Sequence, residues 1–126
     1  MNYLVGIMFL VTSCASVAND REAYAKMSLR CFEKTATVLH DELYHTYESE
    51  NEGYEKAEIG LGQISIMKTM MKNSSRTCEK KANEQRISCL IDTSTIAIKT
   101  LVEVFSAKDL VNELSDCELT SPSLRD

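Results

Sequence analysis

The sequence predicts an all-α fold: a small bundle of three to four helices, stapled by two disulfides, that follows a cleaved signal peptide. The 126-residue chain has one proline, Pro122, and no Asn-Gly or Asp-Gly hairpin turn, so its composition favours helices. One stretch carries apolar residues at helical spacing over five turns, which predicts a long amphipathic helix. Its stripe consists of Ile87, Leu90, Ile91, Ile98, Leu101, Val102 and Phe105.

Residues 1–18 have the pattern of a secretory signal peptide. The run from Leu4 to Val11 is apolar and uncharged, and Ser16 and Ala18 occupy the −3 and −1 positions of a cleavage site after Ala18. The run is too short to span a bilayer, and no other run of spanning length follows it, so we expect no membrane span. Val11-Thr12-Ser13-Cys14 resembles a bacterial lipobox, and an acylated, retained Cys14 is the alternative.

The rest of the chain is predicted to form one helical domain, residues 19–117, and a flexible tail, residues 118–126. Its net charge of −5 argues against nucleic acid or an anionic membrane surface as a partner. The oligomeric state stays open, because three long helices can leave an apolar face that a second copy would cover.

Four cysteines lie in this domain, namely Cys31, Cys78, Cys89 and Cys117. An even number in a small exported chain predicts two disulfides. The intervening gaps of 46, 10 and 27 residues lack the close ligand pairs of zinc sites, so no metal is expected there.

The first helix is predicted from about Asp20 to Ser49, with Asn19 or Asp20 as its cap. Its apolar stripe consists of Tyr24, Met27, Cys31, Thr35, Val38, Leu39, Leu43 and Tyr47. The polar segment from Glu48 to Gly53 reads as the first turn.

The second helix is predicted from about Tyr54 to Lys81, with Leu61, Ile64, Met67, Met71 and Cys78 on one face. Gly60 and Gly62 indicate a kink, a close helix contact or the true start of the helix.

Ala82–Glu84 is the next predicted turn, and the third helix follows it. Ser106 and Asp109 match a capping box, which predicts a separate fourth helix from Ala107 to Cys117, with Leu110, Val111 and Leu114 inward. A single helix from Gln85 to Leu114 is the competing interpretation.

These elements predict the disulfide pairing. An antiparallel hairpin of the second and third helices, centred near Asn83, places Cys78 opposite Cys89, and Cys31 is then left to pair with Cys117. Four cysteines allow three pairings, and the sequence alone does not choose among them.

Asn73-Ser74-Ser75 is an acceptor triplet for N-glycosylation, and Asn73 points away from the apolar face of its helix.

Asp41 and His45 are four residues apart and can share a metal or a proton, whereas His40 does not share their face. Because a third ligand is missing, exposed histidines are the favoured interpretation.

No catalytic constellation is expected, since the chain has no G-x-S-x-G or H-E-x-x-H motif and its cysteines are assigned to disulfides. No cofactor is expected either. The sequence therefore favours a secreted, non-catalytic interaction protein that acts through its surface on a receptor or another secreted partner. The alternative is a small carrier that holds an apolar ligand between its helices, and the candidate lining residues are Met67, Met71, Ile64, Leu90 and Ile98.

Charge is uneven along the chain. Residues 41–58 contain seven acids and one base, whereas residues 68–86 contain six bases and two acids. In a helical hairpin these groups lie at opposite ends, where they match the dipole of the second helix. The alternative interpretation is a docking surface for a charged partner.

Overall fold

A computed structural model gives the fold; it describes the backbone of residues 2–49 and 52–118, and side chains from Asp20 onward within those ranges. The described residues form an all-α structure, as predicted. They contain four α-helices followed by a 3₁₀ turn: α1 (Asn2–Glu48), α2 (Tyr54–Glu79), α3 (Asn83–Phe105), α4 (Lys108–Glu113) and the turn Ser115–Cys117.

The start predicted for α1 at Asp20 is wrong for the full chain, because the helix runs without interruption from Asn2 to Glu48. No proline lies before Asp20, and a single glycine, Gly6, is too weak a breaker to end the helix there. Asn19 and Asp20 therefore lie inside the helix rather than at its start.

The turns fall close to their predicted positions. Gly53 precedes α2 with φ of 103°, a backbone conformation that glycine adopts without a steric penalty. The turn between α2 and α3 lies at residues 80–82, slightly earlier than predicted. Of the predicted tail, the structure describes Glu118 alone.

Ser106 separates α3 from α4, but the predicted capping box with Asp109 does not form. Ser106 ends α3 in the left-handed region, with φ of 51°, and its backbone N–H donates to the Val102 carbonyl. Ala107 rather than Ser106 then occupies the position before α4, and it offers no side-chain cap. Of the side chains predicted to face inward, Val111 is buried, whereas Leu110 and Leu114 are half-buried.

The core forms where α1 packs against both α2 and α3. The buried side of α1 is rotated about the helix axis relative to the predicted stripe. Tyr24, Met27 and Val38, which were predicted to face the core, are only half-buried. The side chains buried in their place, which the prediction missed, are Ala25, Ser28, Phe32 and Ala36. Small residues let the helices approach closely, so an interhelix contact need not coincide with the most hydrophobic stripe.

Both disulfides of the structure are the expected pairs. Cys31 bonds to Cys117 with an S–S distance of 2.06 Å, and we call this pair the inner bridge because both residues are fully buried. Cys78 bonds to Cys89 at 1.97 Å, and we call this pair the hairpin bridge because it joins α2 to α3 near their turn. The inner bridge thus ties α1 to the 3₁₀ turn Ser115–Cys117.

Candidate functional site

The α2–α3 hairpin has one side covered by α1 and a second side open to solvent, which we call the outer face. Exposed apolar side chains concentrate there. Among described residues, six large hydrophobic side chains are exposed, and one of them, Tyr44, lies on α1. The other five belong to α2 and α3: Ile59, Ile66, Met70, Ile96 and Val104.

These five side chains form two rows, one on each helix. Ile59, Ile66 and Met70 are separated by seven and four residues, which places them on one side of α2. Ile96 and Val104 are two turns apart on α3. Ile66 and Ile96 are 61% and 66% exposed, so neither contributes much to the core of a single chain.

A groove of about 340 Å³ lies between α2 and α3, and Met70 and Ile96 are the two exposed apolar side chains that border it. Methionine and small polar residues line it, and Thr100, at its edge, donates its hydroxyl hydrogen to the Ile96 carbonyl oxygen at 2.8 Å. That hydroxyl is therefore satisfied within α3 and leaves the groove predominantly apolar. The lining consists of Met67, Met70, Met71, Ser74, Thr93, Ile96, Ala97 and Thr100.

Three of the five residues predicted to line a ligand pocket lie in the core instead. Ile64 and Ile98 are fully buried and Leu90 nearly so, and all three pack into the core. Met67 and Met71 border the outer groove, so the structure brings two of the five predicted residues together there.

Ile66 and Ile96 were missed because a single apolar stripe was assigned to each helix, whereas Met70 belongs to the methionine-rich patch that the sequence predicts. Ile59, Ile66 and Met70 form a second stripe on α2, and this repetition was the signal that α2 has a second apolar side.

A second groove, of about 630 Å³, lies between α1 and α2. Leu29, Phe32 and Met71 supply its apolar lining, and the last two are almost completely buried. Lys68, Lys72 and Arg76 line one wall, together with acidic groups from both helices. This groove is larger but more polar than the one on the outer face.

Charge also varies along α2. Its first turns carry Glu55 and Glu58, and its second half carries Lys68, Lys72 and Arg76, with Lys80 and Lys81 just beyond the last turn. No ion pair between described residues involves any of these groups. Arg86, by contrast, pairs with Glu22 at 3.4 Å and Glu79 at 3.7 Å, so its charge is already neutralised.

The histidines lie near the end of α1, away from the outer face. His40 Nδ1 is 3.5 Å from Asp41 Oδ1, while Asp41 and His45 are both exposed. In the part of the chain that the structure describes, no three His, Cys, Asp or Glu residues are grouped to hold a metal. Tyr44 is nearby, and a hydrogen bond to the Glu48 carboxylate, with its negative charge, raises the pKa of Tyr44.

Asn73 is exposed, three residues after Met70 on α2. The Thr77 hydroxyl donates to the backbone carbonyl oxygen of Asn73 at 3.1 Å, so this hydrogen bond does not involve the Asn73 side chain. Its position seven residues after Ile66 places it on the same side of α2 as that side chain.

Comparison of the chain with protein-family models, curated proteins and solved structures gives no match. Over the described ranges, none of the helices combines the length and the hydropathy needed to cross a bilayer. The two disulfides suggest an oxidising, extracellular environment.

Proposed function

We propose that this chain is a secreted, non-catalytic interaction protein that binds an extracellular receptor or another secreted partner through the outer face. The observation that carries the proposal is that five of the six exposed large hydrophobic side chains among described residues lie on α2 and α3, and that Met70 and Ile96 of these border one apolar groove. Soluble monomers seldom leave a large apolar patch unused, since exposed apolar area promotes association.

The predicted signal peptide directs export, and it is cleaved after Ala18. The exposed Asn73 is then N-glycosylated. The test is to express the full chain in a eukaryotic secretory line and to analyse the medium. We expect an N-terminus at Asn19, no free thiols and a mass that falls after enzymatic removal of N-glycans. Ala18→Arg should block the cut, because the −1 position requires a small residue.

Protein retained inside the cells with reduced cysteines would overturn the proposed export. Recovery of lipid-modified Cys14 in a bacterial host would favour the lipoprotein alternative, and Cys14→Ser is its control.

The interaction itself is tested with labelled protein titrated onto intact cells. Binding should saturate, and Ile66→Ser with Met70→Ser should weaken it at least tenfold, because these side chains are 61% and 63% exposed on α2 and available to a partner. Tyr44→Ser is the matched control, as Tyr44 is also exposed but lies on α1. Equal weakening by the control, or binding that never saturates, would contradict the proposal.

A second candidate function is the apolar carrier, and the methionine-lined groove is the observation that favours it. Its volume of about 340 Å³ is at the lower end of the range for small-molecule sites. Titration of an apolar fluorescent probe tests this function. Probe binding that Met67→Ala and Met70→Ala weaken, without saturable cell binding, would replace the interaction proposal with the carrier.

A further inference from the structure

We propose that the groove between α1 and α2, which we call the α1–α2 groove, binds an organic anion with an apolar body, of the fatty-acid class. It shares only Met71 with the groove between α2 and α3. The inference therefore goes beyond the proposed function and does not depend on it. It is carried by the apolar lining of the α1–α2 groove and by the row of cations beside that lining.

The apolar lining provides a place for a hydrocarbon body. Leu29 and Phe32 supply it from α1, and Met71 supplies it from α2. The volume of about 630 Å³ falls within the range of small-molecule sites. The groove is therefore large enough for the chain of a fatty acid, with the charged end of the ligand left beside the cationic wall.

The cationic wall consists of Lys68, Lys72 and Arg76, which follow one another at intervals of four residues along one side of α2. Like charges at this spacing repel each other and destabilise a helix. A bound anion relieves that repulsion, and hydrogen bonds from ammonium and guanidinium groups to a carboxylate are among the strongest in proteins. The wall is thus suited to hold the charged end of such a ligand.

The dipole of α2 accounts for only part of this row. A helix dipole favours cations within the last turn, where Arg76 lies. Lys72 and Lys68 lie seven and eleven residues before Glu79, the last residue of α2. Their placement is therefore not explained by the dipole, whereas both of them line the groove.

The acids of the lining leave the wall with an excess of positive charge. Glu33 and Glu79 are the two carboxylates that border the groove, and neither forms an ion pair within 4 Å with a cation of the wall. Glu79 instead lies 3.7 Å from Arg86, outside the groove. Three cations therefore face one carboxylate that has no ion pair among described residues, and an anionic ligand supplies the missing charge.

Ser75 adds a polar group to the same groove. It is half-buried, and within the described ranges its hydroxyl makes no hydrogen bond, so it can donate one to an anionic ligand. Asn73 lies two residues away, about 200° around the helix from Ser75. A glycan on Asn73 therefore does not obstruct the α1–α2 groove.

The test is isothermal titration calorimetry of the oxidised, secreted protein with sodium decanoate below its micelle concentration. We expect saturable binding of one decanoate per chain. Decanol, which has the same hydrocarbon chain without the charge, should bind at least about tenfold more weakly. Acetate, which has the charge without the chain, should show no measurable binding, because the apolar lining then contributes nothing.

Variants of the wall locate the charged end of the ligand. Lys68→Gln with Lys72→Gln should weaken decanoate binding at least about tenfold and leave decanol binding unchanged. Lys80→Gln with Lys81→Gln is the matched control: it removes two positive charges just beyond α2 but outside the groove, so its effect should stay below about twofold. Circular dichroism checks that each variant stays folded.

A variant of the opposite wall should act with the opposite sign. Glu33→Gln removes the uncommitted carboxylate and should strengthen decanoate binding about two- to threefold. Equal losses in the two lysine double variants, or equal affinities for decanoate and decanol, would overturn the proposal. So would a loss of decanoate binding on Met70→Ser, because Met70 lines the groove between α2 and α3 and not this one.

Discussion

The inner and outer sides of the α2–α3 hairpin carry identical side chains in opposite environments. On α2, Ile64 is fully buried and Ile66 is 61% exposed; on α3, Ile98 is fully buried and Ile96 is 66% exposed. Each pair is two residues apart, which is about 200° around the helix. Hydrophobicity therefore does not decide which side becomes the core, because the position of α1 does.

The two disulfides differ most in what they contribute to stability. Replacing the inner bridge by Cys31→Ala and Cys117→Ala should lower the free energy of unfolding by about 4.5 kcal/mol, since it closes a loop with a separation of 86 residues. For the hairpin bridge, Cys78→Ala and Cys89→Ala should cost about 3 kcal/mol, because the separation is 11 residues. Guanidinium unfolding measures both values, and equal losses would contradict the loop-length argument.

The two isoleucines of α3 form the most direct test of the inner and outer sides. Ile98→Ala should destabilise the protein by about 2–5 kcal/mol, as it leaves a cavity in a fully buried site. Ile96→Ala should change stability by less than about 0.5 kcal/mol when measured at a concentration where the chain is monomeric. Urea unfolding of both variants measures these changes in the free energy of unfolding. A large loss of stability for Ile96→Ala would place that residue in the core of the single chain.

Two hydroxyl groups of α3 extend the test to polar contacts. Ser94 Oγ lies 2.7 Å from Ser28 Oγ and 2.6 Å from the Leu90 carbonyl oxygen, in a buried site between α1 and α3. Ser94→Ala should cost about 1–3 kcal/mol, because the Ser28 hydroxyl then loses a buried partner.

Thr100→Ala is the control, since the Thr100 hydroxyl bonds within its own helix on the exposed side. Its change in the free energy of unfolding should stay within about 0.5 kcal/mol. A neutral Ser94→Ala would mean that the contact to Ser28 adds nothing to stability.

The smallest effects are expected at two glycines of α2. A Cβ at Gly62 would meet no atom within 4 Å, so Gly62→Ala should stabilise the helix by about 1 kcal/mol. A Cβ at Gly60 would lie 3.0 Å from Leu43 Cδ1, and this crowding should remove much of the same gain. Thermal unfolding compares the two variants, and a larger gain for Gly60→Ala would contradict the close contact between α1 and α2.

Helical periodicity and cysteine spacing were enough to predict the helical class, the turns and the contact of Cys78 with Cys89, because these features depend on neighbouring residues in the chain. The buried side of α1 was not predictable in the same way. Ala25, Ser28 and Ala36 are buried because α2 and α3 approach closely there, and such small side chains add little to a hydrophobic stripe.

The outer face could not be identified as exposed for a related reason. The sequence shows two apolar stripes on α2, but it does not show that only one of them meets α1. Ser106 was similarly misassigned, because a serine before an aspartate fits a capping box as well as it fits a left-handed helix end.

The exposed turn at residues 80–82 lies between the partner cysteines of both disulfides. Lys80 and Lys81 are accessible there, and proteases of trypsin-like specificity cut after such residues. A cut after Lys81 leaves Cys31 and Cys78 in one fragment and Cys89 and Cys117 in the other. Both covalent links therefore cross the nick, and the cleaved molecule would persist as a two-chain protein that separates only under reducing conditions.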